Sequence, residues 1–167
     1  MYKKAYFFTL DAFIATSVIV IGISLILFAR TNKPYEVQAA FLSQDVIDTA
    51  SSIKVYEISD NEYINNLITN EDITNTRNTV LEQVGEFCFK DMNSTANNFT
   101  KEVFLETIPS EYNFQLLIKD GNETLFNYTK GTNMKTSRVL MSSKNIIFGQ
   151  INNTMWGPYT SEVRTWQ

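Results

Sequence analysis

The sequence predicts an α+β chain: a long N-terminal hydrophobic helix continues into a head with a further helix and an antiparallel β-sheet. Three observations carry that class. Residues 12–29 read AFIATSVIVIGISLILFA, without a charge. Apolar residues then recur at helical spacing from Val37 to Cys88. From Glu102 onward the chain changes to short β-rich runs punctuated by Pro109, Asp120-Gly121 and Gly157-Pro158.

The first element is the apolar one. Extended back to Ala5, the run is broken only by Asp11, and roughly 20 apolar residues suffice to cross a 30 Å hydrocarbon core. Lys3 and Lys4 precede it and favour a cytoplasmic N-terminus, with the rest of the chain outside. A cleaved secretory signal fits less well, because Leu27 stands where a small residue should sit two positions before Ala29. Asp11 either lies at the cytoplasmic interface or needs a partner, since an acid inside the span is costly. At 100° per residue, Ala15, Gly22 and Ala29 fall within about 40° of Asp11, opposite Phe13, Val20 and Leu27. Small residues on one face let helices approach closely.

Pro34-Tyr35-Glu36 opens an amphipathic continuation. Val37, Ala40, Phe41, Ile47 and Ala50 form its apolar side, and it extends to about Tyr56. Residues 59–70 are polar, with room for a short helical turn. The next helix shows one apolar face through Ile73, Thr76, Val80, Leu81, Val84, Phe87 and Cys88, with Asn70 as its N-cap. Cys88 on that face reads as a buried structural thiol. Strand-like runs follow at Val103–Leu105, Tyr112–Ile118, Thr124–Thr129, Ser137–Ser142, Asn145–Gln150 and Tyr159–Trp166. Asp120-Gly121 predicts a hairpin and Gly157-Pro158 a turn before the last strand. Phe104, Phe114, Phe126, Phe148 and Trp166 are expected to pack the sheet on the helices.

Composition narrows the function. The chain has 167 residues, 14 basic against 18 acidic, a net charge of −4, no histidine and one cysteine. One domain plus an appendage is expected from that length. The acidic balance argues against a nucleic-acid partner. Without histidine the commonest general base is missing, and with it most transition-metal sites. Cys88 alone can form neither an internal disulfide nor a thiolate cage. Phosphate-binding, dinucleotide, zinc-protease and serine-hydrolase motifs are absent from the sequence. The acidic runs Asp60-Asn61-Glu62 and Glu71-Asp72 lack the spacing of a calcium loop. No catalytic, cofactor-binding or metal site is therefore expected, and the chain does not read as an enzyme.

Five N-x-Ser/Thr sequons begin at Asn93, Asn98, Asn122, Asn127 and Asn152. With 17 Asn and 30 Ser plus Thr, about three would arise from composition. All five fall in the C-terminal half, as on an exposed, glycosylated head; an Asn/Thr-rich surface without sugar is the alternative.

Lys3-Lys4-Ala5, the stretch Tyr-Phe-Phe-Thr-Leu-Asp11 and the apolar helix together resemble the class III signal of type IV pilin-like proteins, the archaeal members above all. The resemblance implies a pilin-like fold and a leader cut by a prepilin peptidase, with Ala5 before the scissile bond and Tyr6 as the new N-terminus. Asp11 then matches the acid that pairs with the N-terminal amine of a neighbouring subunit. Two departures stand: bacterial members carry glutamate at the fifth mature position where this cut puts aspartate at the sixth, and Ala replaces the commoner Gly. The implied organisation is a leader over 1–5, a membrane and filament-core helix over 6–30, an amphipathic helical part of the head over 31–91, and a β-rich glycosylatable head over 92–167. The implied function is a structural subunit of an archaeal surface filament, a helical homo-oligomer used for adhesion. The implied partners are the prepilin peptidase, the assembly machinery and, before assembly, the cytoplasmic membrane. The alternative is a single-pass anchored extracellular binding or adhesion domain that does not polymerise.

Overall fold

The computed structural model describes residues 2–31, 34–104, 107–131, 134–137 and 139–167, with side chains at 12–28, 41–104, 107–131, 134–135, 137 and 139–167. Two compact units result, Met1–Gln38 and Ala39–Gln167. Helix α1 spans Tyr2–Thr31 and α2 spans Pro34–Ser52. This corrects the expected long hydrophobic helix continuing into the head. Among the described residues no helix is long and apolar enough to cross a membrane. The chain carries two helices where one was expected, and the unit boundary falls inside α2. Pro34 stands at the first position of α2, where its missing N–H costs nothing and its fixed φ suits a helix start. What stands is an α+β fold with a four-stranded antiparallel sheet.

In the head, α2 buries Ser43, Val46, Ile47 and Ala50, an i, i+3, i+4, i+7 stripe. Phe41, expected on that side, is exposed. Ser43 Oγ lies 3.0 Å from Ser143 Oγ, and Asn145 Nδ2 donates to Ser51 Oγ at 2.6 Å. These bonds join α2 to the third strand. A short 3-10 turn, Val55–Ile58, leads to α3, Glu62–Thr69. Asn61 caps α3 by accepting from the Tyr63 and Ile64 amides at 2.9 and 3.3 Å.

Helix α4 spans Val80–Phe89, later than expected, and Asn70 is instead the C-cap of α3. Its start is fixed by a capping box. Thr79 Oγ1 accepts from the Glu82 amide, and the Glu82 carboxylate accepts from the Thr79 amide at 2.7 Å. The residues before it cannot join the helix because their carbonyls are already used. The Thr76 and Asn78 carbonyls accept from the Tyr56 and Val55 amides, both at 3.0 Å. Helix α5, Asn93–Phe104, replaces the strand-like run expected at 103–104; Leu105 lies outside the described residues. Its buried face is Ala96, Phe99, Thr100 and Phe104.

The strands are β1 Asn113–Asp120, β2 Glu123–Lys130, β3 Leu140–Ile151 and β4 Thr154–Trp166, in the order β2-β1-β4-β3, every pair antiparallel. The Asp120-Gly121 hairpin is present: Asp120 pairs with Glu123. The two short strands expected at 137–142 and 145–150 are one, because Ser143 and Lys144 keep their places opposite Val163 and Glu162; Arg138 lies outside the described residues. The turn before the last strand is Asn152-Asn153, with φ of 46° and 70°. Asparagine tolerates that left-handed pair, as a two-residue hairpin loop requires. Gly157-Pro158, expected to be that turn, lies within β4 with a cis peptide bond.

Alternation along the strands decides which aromatics reach the core. Phe114 is buried and packs on Phe104 and Tyr128 at ring distances of 5.1 and 6.3 Å. Phe126 is buried beside them. Phe148 faces the other way from the buried Ile147 and is 60% exposed, a correction to the expected set. Trp166 is buried, but it pairs with Asn113 and Leu140, on the face opposite Phe114. Helix α4 comes so close to the sheet that a Cβ on Gly85 would lie 2.8 Å from Ile147 and Trp156 atoms. Only glycine fits there.

Candidate functional site

The feature of α1 that demands a function is its surface. Val18, Ile19, Val20 and Ile21 are consecutive and are all 55–64% exposed. Four successive helical positions cover most of a full turn, so apolar surface goes round the helix instead of forming one stripe. Phe13, Ile23, Leu25, Ile26, Leu27 and Phe28 extend it along the axis, each more than half exposed. Fully burying one such side chain is worth about 1.5–3 kcal/mol. Five of them amount to roughly 10 kcal/mol, comparable to the net stability of a whole domain.

The hydroxyls on α1 suit a dry environment. Thr16, Ser17 and Ser24 each donate to the carbonyl four residues earlier, on Ala12, Phe13 and Val20, at 2.8, 2.8 and 2.7 Å. Among the described side chains of α1, these three hydroxyls are satisfied by the helix's own backbone, which matters where an unpaired polar group would cost several kcal/mol. Ala15 is exposed and Gly22 partly so, and a Cβ added at Gly22 would meet nothing within 4 Å. The backbone of α1 also includes Lys3, Lys4, Ala5, Tyr6, Asp11 and Ala29. Their side chains lie outside the described residues.

The five sequon asparagines are all exposed. Asn93 opens α5 and Asn98 lies in its middle. Asn122 is in the β1–β2 turn, Asn127 on the edge strand β2 and Asn152 in the β3–β4 turn. Their surroundings differ. Thr100, the third residue of the Asn98 sequon, is fully buried, so a transferase acting on the folded head could not engage it. Asn127 Oδ1 accepts from Gln115 Nε2 at 2.9 Å and Thr129 Oγ1 at 3.2 Å. Asn122 and Asn152 are exposed in turns.

Two buried carboxylates escaped the sequence reading. Glu86 on α4 is 1% exposed, with Lys90 Nζ at 2.6 Å and Asn78 Nδ2 donating at 2.6 Å. Glu162 lies on the sheet face opposite Phe114 and accepts from Arg164 Nε at 2.6 Å, Lys119 Nζ at 2.8 Å and Ser142 Oγ at 3.0 Å. Burial opposes the Glu162 charge, but those three hydrogen bonds outweigh it and hold the carboxyl at about 2. The Glu162-x-Arg164 spacing, two apart on a strand, was the available signal. Cys88 is buried, and burial pushes its thiol up to about 12, so it is unreactive near neutral pH.

Among the described residues, no group of three His, Cys, Asp or Glu side chains is placed to hold a metal ion. No family model, curated protein or solved structure matches the chain.

Proposed function

We propose that the chain is a structural subunit of an archaeal type IV pilus-like surface filament, polymerising through α1, with the head serving adhesion. The apolar circumference of α1 carries this reading. Such a surface has to be covered, and other copies of the same helix can cover it. The leader-like Lys3-Lys4-Ala5-Tyr6 sequence supports processing by a prepilin peptidase. The mature chain would wait in the cytoplasmic membrane, N-terminus inside and head outside, until the assembly machinery withdraws it. The amine freed at Tyr6 would be neutralised by Asp11 of a neighbour, and a charge pair in an apolar interface sets register better than it adds stability. Ala15, Gly22 and Ala29 permit close approach. The subunit has no enzymatic role in this reading, needs no cofactor, and binds no nucleic acid.

Two substitutions test it in cells. Ile21→Glu places a charge amid apolar neighbours, at a cost of about 2.5–3.5 kcal/mol at a helix centre, and should abolish surface filaments seen by electron microscopy. Asp11→Ala should leave the chain in membranes and remove the fibres. Mass spectrometry of the native chain should find a start near Tyr6. Normal filaments from Asp11→Ala would remove the register role. An intact Met1 start with no filaments would overturn the reading in favour of a non-polymerising anchored domain.

A further inference from the structure

The head has a groove of about 560 Å³ between the start of α4 and the β3–β4 turn. Asn75, Asn78, Gln150, Asn152 and Asn153 supply five side-chain amides to its lining. Glu82 is its one charged residue, and one of that carboxylate's oxygens already holds the Thr79 amide. Phe148 and Met155, 60% and 74% exposed, form an apolar lip. Gly149 also lines it, and a Cβ there would lie 2.9 Å from Trp156 Nε1. That indole nitrogen is buried with no partner, on a side chain only 3% exposed. Gln83 Nε2, also buried and unpartnered, belongs to a side chain whose other end accepts from Asn78 at 3.2 Å.

Each feature narrows the ligand. An anion is disfavoured because the lining has a carboxylate and no cation. A metal ion is disfavoured because amide oxygens with one half-engaged carboxylate make a weak hard-cation set. A purely apolar ligand would cover the exposed amides of Gln150, Asn152 and Asn153, whereas Asn75 and Asn78 already bond each other and Asn78 also bonds Glu86. Neutral carbohydrate meets all of these conditions. Amides donate and accept at once, matching hydroxyl pairs that do the same, while the C–H face of a pyranose lies on an aromatic ring. The Trp156 indole packs against Gly149 of the lining, so its N–H signal reports on a ligand seated there.

We propose that this groove binds a neutral carbohydrate, with Phe148 as the platform and the amides of Gln150, Asn152 and Asn153 as hydroxyl partners. The inference goes beyond the filament reading and holds for a single subunit whether or not it polymerises. The sugar has two possible sources, a free or cell-surface glycan, or a glycan attached at Asn152 on the groove's own rim.

The test uses the full chain with Thr154→Ala, which removes the Asn152 sequon without touching the lining, in a sugar-free detergent. The chain has two tryptophans, so two indole N–H signals can be followed by NMR. Neutral oligosaccharides of glucose, mannose, galactose and N-acetylglucosamine are titrated in turn. At least one should shift the Trp156 indole signal saturably while leaving Trp166 in place. Phe148→Ala, exposed and so harmless to folding, should weaken that binding at least tenfold, and Gln150→Ala about as much. Mass spectrometry of the native chain then distinguishes the sources: a glycan at Asn152 means the groove is filled in cis, a bare Asn152 means it is open to external sugar. No shift with any of the sugars, unchanged affinity in Phe148→Ala, or a shift produced by uncharged peptides alone would overturn the proposal.

Discussion

Helix α1 and the head use the same apolar residue types in opposite ways. In the head, Phe87 and Phe99 meet edge-on at 5.6 Å, and both are fully buried. In α1, Phe13 is 73% exposed and Phe28 is 69% exposed. The head buries a core of its own side chains and leaves a minority, Phe41, Ile146, Phe148 and Met155 among them, exposed. Much of the helix's apolar surface stays exposed. The difference separates two kinds of evidence. What holds the head together can be read from contacts within one chain. What α1 is for has to be inferred from the cover that it lacks.

The contrast can be sharpened from the head side. Phe87→Ala should cost about 3–5 kcal/mol by denaturant unfolding, because it empties a closed core position. An equivalent truncation on α1, Phe13→Ala, should leave head stability unchanged. An equal loss from both would mean that α1 draws its stability from the head, and the contrast would fail.

A smaller effect comes from Glu162. Its folded pKa lies at about 2 against an ordinary value of 4.5, a difference worth about 3 kcal/mol. Because the folded value is depressed, this stability is fully present above the unfolded pKa and is lost as pH falls through the folded one. The margin of the wild type over Glu162→Gln should therefore shrink between pH 4.5 and pH 2. A constant margin across that window would show that the Arg164 and Lys119 bonds do not favour the charged form. Thr79→Ala is smaller again: losing the α4 capping box should lower head stability by about 1 kcal/mol, read in the same unfolding experiment.

Legibility followed the same division. The β1–β2 hairpin was visible in Asp120-Gly121, and the buried α4 face in Val80, Leu81, Val84 and Phe87. The start of α4 was misplaced because Ile73 and Thr76 continue the helical spacing. The backbone of Thr76 and Asn78 instead joins residues 55–56, and the Ile73 amide donates to the Leu67 carbonyl, tertiary pairings that periodicity does not report. The signal that fixes the start, Thr79-x-x-Glu82, was present in the sequence. Helix α5 was hidden by its Asn- and Thr-rich composition, although Ala96, Phe99, Thr100 and Phe104 carry helical spacing. Phe148 and Trp166 were assigned to the core from residue type alone, whereas strand parity sends each to the other face. The groove was not legible, because its two walls, residues 75–82 and 148–155, are far apart in the chain. The apolar character of α1 was plain, but among the described residues no helix is long and apolar enough to cross a membrane.

The central claim is that copies of α1 cover one another. Gly22→Cys tests it directly, since a Cβ there meets nothing within 4 Å of its own chain. Cys88 can remain, because burial pushes its thiol up to about 12. The Asp11–Tyr6 stagger separates like positions by about 7.5 Å along the axis, beyond a disulfide's reach. Intact cells are therefore treated with a membrane-permeant bis-maleimide, which should convert this variant into a covalent dimer while the wild type stays monomeric. A Gly22→Cys chain that remains monomeric in cells bearing normal filaments would place α1 away from its own copies and contradict the account.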